Sequence, residues 1–308
     1  MKKAIIKPWF WLGLLIILGA SLFLATGSYF MKEWYYVFVW WGFLFFLDGL
    51  NFLLKGESLL SRSRLKFLTY AFFSVSWWCL FEVFNLRLNN WSYHGLPEGQ
   101  IVRWIGYFLA YATVIPALVE LSELFSFFLS KRRSTLFKIN VPPVLWPALI
   151  LLGVLFLGMT LLWPQLFFPL VWLAFIFLLE PLNYHWGFTS LLRDFAANDW
   201  SRFWSVVLAG LTAGFFWEFW NFWAGSHWEY SLPYLNFGRV FQMPVLGYTG
   251  FLPFAWETMA AVWLVEGMIR RASLSKRVRL ALISAVICGL LLFDGWVFHL
   301  IDTFTLAK

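Results

Sequence analysis

Residues 43–60 read FLFFLDGLNFLLKGESLL, an apolar run that carries a single aspartate, Asp48, near its middle. Residues 175–192 read FIFLLEPLNYHWGFTSLL, and Glu180 stands where Asp48 stands in the first run, 132 positions further along. A leucine and an asparagine follow the acid at the same spacing in both runs. Self-similarity at a fixed offset is the signature of an internal repeat. The chain is therefore predicted to contain a duplicated unit of apolar helices with acids at set places.

A second pair of segments repeats at an offset of 136 residues. Residues 81–97 read FEVFNLRLNNWSYHGLP, and residues 217–233 read WEFWNFWAGSHWEYSLP. Both end in a loop with aromatic residues, glycine or serine, and a proline. The matching polar residues are Glu82 with Glu218 and Asn85 with Asn221.

A third pair of segments keeps nearly the same offset, 137 residues. Residues 106–120 read GYFLAYATVIPALVE, and residues 247–257 read GYTGFLPFAWE. In each, a proline precedes the final glutamate by four positions, and the proline is expected to kink the helix because it lacks a backbone donor. Three blocks in the same order make a chance match a poor explanation. The matching residues are Pro116 with Pro253 and Glu120 with Glu257.

The composition places the chain in a membrane. Of 308 residues, 61% are apolar and only 13% are charged, whereas soluble domains average about 25% charged residues. Such a chain has too little polar surface to cover a water-soluble globule. Ordinary soluble enzymes, disordered chains, coiled coils and disulfide scaffolds are excluded on the same ground.

Nine stretches approach or exceed the ~20 apolar residues that cross a bilayer, so we predict an all-α polytopic membrane protein. Four spans fall in each repeat, and the ninth follows them. An even number of spans leaves both repeats in the same, parallel orientation. The predicted spans are 9–30, 35–54, 67–86, 104–129, 144–163, 166–184, 203–223, 247–269 and 280–300. The predicted domains are a first repeat at 1–138, a second repeat at 139–271, and the ninth helix with the C-terminus at 272–308.

The basic residues predict the orientation. With the N-terminus inside, 18 of the 23 Lys and Arg residues lie in cytoplasmic segments. This agrees with the positive-inside rule, so we expect a cytoplasmic N-terminus and an external C-terminus in the cytoplasmic membrane of a bacterium or archaeon. The basic residues sit in short clusters between apolar runs rather than on one face, so no nucleic-acid partner is expected.

The acids inside the spans are the main functional signal. Each costs about 2.5–3.5 kcal/mol at a helix centre, and no Lys or Arg lies within the spans to pair with them. We therefore expect them to face the bundle interior, many of them protonated and hydrogen-bonded to one another or to asparagines, four of which follow an acid by three positions and so share its helix face. The acids are Asp48, Glu82, Glu120, Glu180, Glu218 and Glu257, and the asparagines are Asn51, Asn85, Asn183 and Asn221.

Aromatic residues surround several of these acids. They could be lipid-facing bulk, or they could line a cavity whose π faces attract a cation. The acid and asparagine set could equally be interhelical hydrogen bonding without chemistry. The candidate aromatic binding residues are Trp91, Trp217, Trp220 and Trp228.

Motifs for metals and cofactors are absent from the sequence. The four histidines have no metal-ligand spacing, and no glycine-rich phosphate loop occurs. We therefore expect no metal and no cofactor. The expected partners are membrane lipids and a lipid-soluble small molecule, and the oligomeric state is left open.

The arrangement resembles the integral-membrane isoprenoid cyclases, which include tandem-domain lycopene cyclases of carotenoid biosynthesis and the transmembrane terpene cyclases of fungal meroterpenoid pathways. The resemblance rests on Trp217-Glu218-Phe219 with Asn221, on the copy at Phe81-Glu82 with Asn85, and on Glu120 and Glu257. It implies that carboxylic acids protonate an alkene or epoxide and that aromatic walls shelter the resulting cation.

The leading functional hypothesis is therefore a cyclase or isomerase of a lipid-soluble polyene. Glu218 or Glu82 would be the general acid, and Glu257 or Glu120 its partner or the final base. The other acids and asparagines of the set would contact the substrate. Two alternatives are a proton-coupled transporter or lipid flippase, and a non-catalytic subunit or scaffold of a membrane complex.

Overall fold

The computed structural model confirms an all-α fold, since 78% of it is helical. The residues that it describes are 6–129, 136–234, 236–273 and 275–307. The basic residues 2, 3, 131–133 and 308, which the orientation prediction also uses, lie outside them.

The described residues include thirteen α-helices and four short strands. The helices are α1 Pro8–Ala25, α2 Tyr29–Lys55, α3 Leu59–Arg62, α4 Arg64–Leu88, α5 Gln100–Tyr111, α6 Val114–Leu129, α7 Leu145–Leu162, α8 Pro164–Phe167, α9 Val171–Trp186, α10 Leu191–Ala196, α11 Ser201–Trp223, α12 Phe251–Arg271 and α13 Lys276–Leu300. The strands are β1 Trp91–His94, β2 His227–Tyr230, β3 Arg239–Val240 and β4 Met243–Pro244. Below, α1–α6 with β1 are called the N-terminal half, and α7–α12 with β2–β4 the C-terminal half.

Eight helical segments in the described residues are long and apolar enough to cross a membrane, and they coincide with eight of the nine predicted spans. The remaining prediction, 247–269, corresponds to a 3-10 turn at Val245–Gly250 followed by α12. Helix α12 has 21 residues but is not among the eight. Glu266, Arg270 and Arg271 make its second half polar. The prediction of an all-α membrane protein is thus confirmed, whereas α12 departs from the predicted apolar span.

Each half begins with a tightly packed helix pair. In the first pair, a Cβ on Gly13 of α1 would lie 2.4 Å from the carbonyl oxygen of Gly42 in α2. In the second, a Cβ on Gly153 of α7 would lie 2.9 Å from the carbonyl oxygen of Ala174 in α9. Small residues allow two helix backbones to approach closely in a membrane. Helices α1 and α7 are otherwise largely exposed, as expected for lipid-facing helices.

The predicted span 104–129 is broken where the sequence places a proline. Helix α5 ends at Tyr111 and α6 begins at Val114, and Pro116 lies four positions after Ala112. A proline lacks the donor for that carbonyl and its ring collides with it. The hydroxyl of Ser74 in α4 bridges the break, donating to the Tyr111 carbonyl at 2.5 Å and accepting from the Ile115 amide at 3.0 Å.

The two halves meet at a small antiparallel sheet and along α6 and α11. Strand β1 pairs with β2 so that Trp91 lies opposite Tyr230, and Tyr93 lies opposite Trp228. Both strands follow the C-terminal ends of long helices, α4 and α11. We call this the strand end of the bundle. The sheet therefore brings the two repeated aromatic loops together over the core.

Candidate functional site

Two asparagines hold the strands at the strand end. Asn85 donates to the Trp91 carbonyl at 2.8 Å and accepts from the Trp91 amide at 3.2 Å. Asn221 makes the same pair of bonds with Trp228, each of 2.8 Å. Both asparagines are buried. Their side chains are thus engaged with backbone, and the structure brings them to the sheet rather than to a cavity wall.

Glu82 is surrounded by donors. Its Oε1 accepts from the Tyr93 hydroxyl at 2.5 Å, from the indole nitrogens of Trp78 at 2.8 Å and Trp91 at 3.1 Å, and from the Tyr111 hydroxyl at 3.4 Å. Its Oε2 is buried without a partner. Four donors on one oxygen stabilise negative charge there, so Glu82 is held firmly in place.

Glu218 accepts fewer hydrogen bonds than Glu82 does. Its Oε1 accepts from the Tyr230 hydroxyl at 2.8 Å, and that hydroxyl accepts from the Trp228 indole at 2.8 Å. Its Oε2 is buried without a partner. Burial raises the pKa of the Tyr230 phenol well above its ordinary value, so the phenol keeps its proton and remains a donor. A buried carboxyl with one free oxygen is expected to hold a proton, because the neutral form avoids the cost of an unpaired buried charge.

Asp48, Asn51 and Glu120 form a cluster at the opposite end of α2. Asp48 accepts from the Trp9 indole at 2.8 Å and from the Ser58 hydroxyl at 2.7 Å. The Asn51 amide donates to Glu120 Oε2 at 2.6 Å and to the Glu120 carbonyl at 2.9 Å. Glu120 Oε1 and Asn51 Oδ1 are buried without partners. The predicted contact between acid and amide thus occurs here between different helices.

The C-terminal half reproduces only part of that cluster. Glu180 accepts from the Ser190 hydroxyl at 2.7 Å and from the Trp256 indole at 2.9 Å. Asn183 donates to the Ala260 carbonyl at 2.8 Å and not to Glu257. Both carboxyl oxygens of Glu257 are buried, and neither has a side-chain hydrogen-bond partner among the residues that the structure describes. The counterpart acids thus differ in their hydrogen bonds although their positions in the sequence match.

A small cavity of about 110 Å³ lies at the strand end. It is bounded by the start of α2, by α5 and by β2, and Glu218 lines it. Of the six repeated acids, only Glu218 lines either of the two cavities described here. Glu33, Arg103 and His227 are the other ionisable groups in its wall apart from tyrosines. This cavity is therefore where an acid of the predicted set can meet a ligand.

A large cavity of about 580 Å³ lies beside it. Its walls come from α9, β2, α12 and the 3-10 turn Val245–Gly250, and they are mainly apolar and aromatic. Trp91 and Trp172 belong to them. The volume lies within the range of about 300–1,000 Å³ that is usual for small-molecule pockets. The cavity suits an apolar ligand.

The two cavities share a wall. Of the predicted binding residues, Trp217 and Trp228 line both cavities, whereas Trp220 lines neither. Instead, the Trp220 ring packs against Trp40, with ring centroids 5.0 Å apart. The residues common to both cavities are Trp78, Tyr93, Trp217, Trp228, Tyr230 and Phe251.

Residues at matching sequence positions line the two cavities. Val37 and Ala110 of the N-terminal half line the small cavity, and Pro169 and Gly247, at offsets of 132 and 137, line the large one. The cavity that Glu218 of the C-terminal half lines is thus walled in part by α2 and α5 of the N-terminal half. Each cavity is built from both halves.

The structure adds donors that were not predicted. Tyr93 and Tyr230 bind the paired acids and line both cavities. The signal in the sequence is the repeated Trp-x-Tyr that begins at Trp91 and Trp228, 9 and 10 positions after the acid. That spacing places the tyrosines beyond the end of the helix that carries the acid. Their contact with the acids is seen only in the structure, where β1 and β2 fold back over the helix ends.

Across the four described ranges, no group of three or more His, Cys, Asp or Glu side chains could hold a metal ion. The rings of His94 and His227 stack with centroids 5.6 Å apart across the sheet. Comparisons with protein-family models, with curated proteins and with solved structures found no match to this chain.

Proposed function

We propose that the protein is an integral membrane enzyme that cyclises or isomerises a lipid-soluble isoprenoid or polyene, with Glu218 as the general acid. The observation that carries the proposal is the environment of Glu218. Its Oε1 is fixed by Tyr230, its Oε2 is free, and it lines a cavity that shares an aromatic wall with a larger apolar cavity.

The chemistry balances without a further reactant. The Glu218 O–H group gives its proton to one carbon of an alkene, and the positive charge forms on the neighbouring carbon. In a cyclisation, a second double bond attacks that carbon. The Glu218 carboxylate then takes a proton from an adjacent carbon, which restores the acid and leaves a product isomeric with the substrate. The π faces of Trp217 and Trp228 stabilise the cation between these steps.

Glu82, Glu120 and Glu257 have other roles in this proposal. None of them lines the cavities. We therefore give the final base role to Glu218 itself rather than to Glu257 or Glu120, and we treat Glu82 as the acid that fixes Tyr93 and Trp91. The remaining polar residues predicted to bind substrate, Asp48 and Glu180 with their asparagines, are proposed to stabilise helix contacts.

We also propose how the helices are grouped into repeats and oriented in the membrane. Two four-helix repeats, 1–138 and 139–271, lie parallel, with 272–308 added as a ninth span. Contacts with α9 and α11 bury much of α12, which allows it to carry charges. Basic residues at the start of α4 and the end of α12 lie away from the strand end, which supports a cytoplasmic N-terminus in a bacterial or archaeal cytoplasmic membrane.

The test compares lipid extracts from cells that express the wild type, Glu218→Gln or Glu82→Gln. General acid catalysis contributes about 10²–10⁴-fold in rate. Mass spectrometry is expected to detect an isomer of a host lipid with the wild type and with Glu82→Gln, and almost none with Glu218→Gln. Equal product from Glu218→Gln and wild type, at equal protein levels, would overturn the proposal.

A proton-coupled transporter or flippase is the second candidate. The observation in its favour is the free oxygens of Glu120 and Glu257, which lie deep in the bundle and away from both cavities. Buried acids in such positions serve as proton relays in pumps. Uptake into proteoliposomes that depends on a pH gradient, and that Glu120→Gln and Glu257→Gln abolish, would favour it. In that case, lipid extracts from cells that express the protein would contain no new isomer of a host lipid.

A further inference from the structure

The basic groups in the wall of the small cavity are already neutralised. Arg103 binds Asp302 through two bonds, with Nε 2.7 Å from Oδ1 and Nη2 2.8 Å from Oδ2. The ring of His227 faces two oxygens, the Gly225 carbonyl at 2.9 Å and a Glu229 carboxylate oxygen at 3.2 Å. Neither residue offers an unpaired positive charge to a ligand.

Two carboxyl groups in the same wall lack cationic partners. Glu33 and Glu218 form no ion pair within the described part of the chain. Glu33 is half-buried at the start of α2, and Glu218 is fully buried with Oε2 unpartnered. The unbalanced charge of the wall is therefore negative, which excludes a phosphate or carboxylate group as the favoured ligand.

Aromatic rings form much of the remaining wall. Indole, phenol and phenyl faces attract ammonium groups, and the attraction reaches about 2 kcal/mol when the pair is shielded from water. The volume of about 110 Å³ exceeds the ~30 Å³ that one water occupies in the liquid. A group of several heavy atoms therefore fits. The rings include Trp34, Tyr36, Trp78, Trp217, Trp228 and Phe251.

We propose that the small cavity binds an alkylammonium group, with Glu33 supplying the negative charge and Trp34 and Trp228 supplying π faces. The proposal rests on the proposed function in so far as it treats the Glu218 site as the substrate site. It adds that the substrate carries a cationic amine at the end that enters this cavity.

The first experiment uses two ligands of nearly equal shape. Choline carries a trimethylammonium group, and 3,3-dimethylbutanol carries an uncharged tert-butyl group in its place. Binding to the purified full chain in lipid nanodiscs is measured by calorimetry. A cation–π site is expected to bind choline about 5- to 30-fold more tightly. Equal affinities, or tighter binding of dimethylbutanol, would overturn the proposal.

The second experiment locates the site. Glu33→Gln is expected to lower choline affinity about 2- to 5-fold and to leave the affinity for dimethylbutanol unchanged. Glu98→Gln is the matched control, because Glu98 lies just before helix α5, which bounds the same cavity, but does not itself line the cavity. Choline affinity that is unchanged in Glu33→Gln, or lowered equally by both variants, contradicts the proposal.

The outcomes also separate this inference from the proposed function. Choline binding requires no turnover, and the product assay with Glu218→Gln requires no added amine. If the wild type binds choline more tightly than dimethylbutanol and Glu218→Gln still forms full product, only the enzyme proposal is refuted. If Glu218→Gln forms no product and the wild type does not prefer choline, only the ammonium site is refuted.

Discussion

The Tyr230 hydroxyl donates to Glu218 Oε1 over 2.8 Å, and no partner in the described part of the chain reaches Glu218 Oε2. The counterpart carboxyl of Glu82 receives four donors on one oxygen. Two acids at matching sequence positions therefore have unequal hydrogen-bond environments. Under the proposed function, Glu218 is the reactive acid and Glu82 is the structural one.

The variant Tyr230→Phe tests the positioning of Glu218. It removes one hydrogen bond, which contributes about 0.5–1.5 kcal/mol, and leaves the ring in the shared wall. We expect product formation to fall about 3- to 10-fold while the substrate concentration for half-maximal rate stays the same. Initial rates of product formation at a series of substrate concentrations, with the product measured in lipid extracts of the reaction, test both expectations.

The control for that variant is Tyr234→Phe. The Tyr234 hydroxyl also donates a hydrogen bond, in this case to the Leu166 carbonyl, but the residue is at the surface and lines neither cavity. Its product rate should equal that of the wild type. If Tyr230→Phe does the same, Tyr230 does not position the acid.

The variant Asn85→Ala tests the attachment of the sheet. It leaves the buried amide and carbonyl of Trp91 without their partner, at about 1–3 kcal/mol for each unpaired group. The thermal unfolding midpoint in detergent should drop clearly. Asn236→Ala serves as the control, because Asn236 is exposed and accepts only from Arg239. Equal midpoints for the two variants would show that the sheet does not depend on Asn85.

The variants Gly13→Ala and Gly19→Ala test the close packing of α1 against α2. A Cβ at position 13 would lie 2.4 Å from backbone atoms of α2, whereas a Cβ at position 19 meets nothing within 4 Å. Overpacking costs about 1–3 kcal/mol, whereas alanine is favoured over glycine in a helix by about 0.5–1 kcal/mol where the added Cβ meets no other atom. Thermal unfolding should therefore shift in opposite directions. A stabilised Gly13→Ala protein would contradict the close approach.

The variant Asp302→Asn tests the link between α5 and the C-terminal segment. Asp302 also accepts from the Trp104 indole at 2.9 Å, and both members of its ion pair with Arg103 are nearly buried. Breaking a buried pair on one side costs about 3–5 kcal/mol. We expect faster proteolysis near residues 300–307 and a lower unfolding midpoint. The exposed pair of Arg62 and Glu57 is the control, and Glu57→Gln should change neither measurement.

Much of the fold could be predicted from the sequence because membrane helices are set by local apolar length. Eight predicted spans match, and the burial of all six acids follows from the cost of exposing them to lipid. Helix α12 was predicted as the apolar span 247–269, but Glu257 and Glu266 lower the mean hydropathy of that span, and the burial of the helix is shown only by its packing against α9 and α11.

The candidate site was less predictable. Spacing placed Glu82 and Glu218 at equivalent positions, but their donors come from loops that fold back and from other helices. Trp9 reaches Asp48 across 39 positions, and Trp256 reaches Glu180 across 76. Contacts at such separation depend on tertiary packing, which no local pattern encodes.

The pairing of Trp91 with Tyr230 and of Tyr93 with Trp228 has a consequence for ancestry and for engineering. A symmetric homodimer pairs residue i with j and j with i, and these pairs keep that rule between sequence counterparts. Under the proposed two-repeat architecture, one chain preserves the interface of a two-fold dimer, in which the ancestral subunits were interchangeable. Fusion of the two copies then lets each change alone, so that in the proposed function Glu218 serves in chemistry while Glu82 braces the sheet. Separately translated halves should still find each other in the membrane.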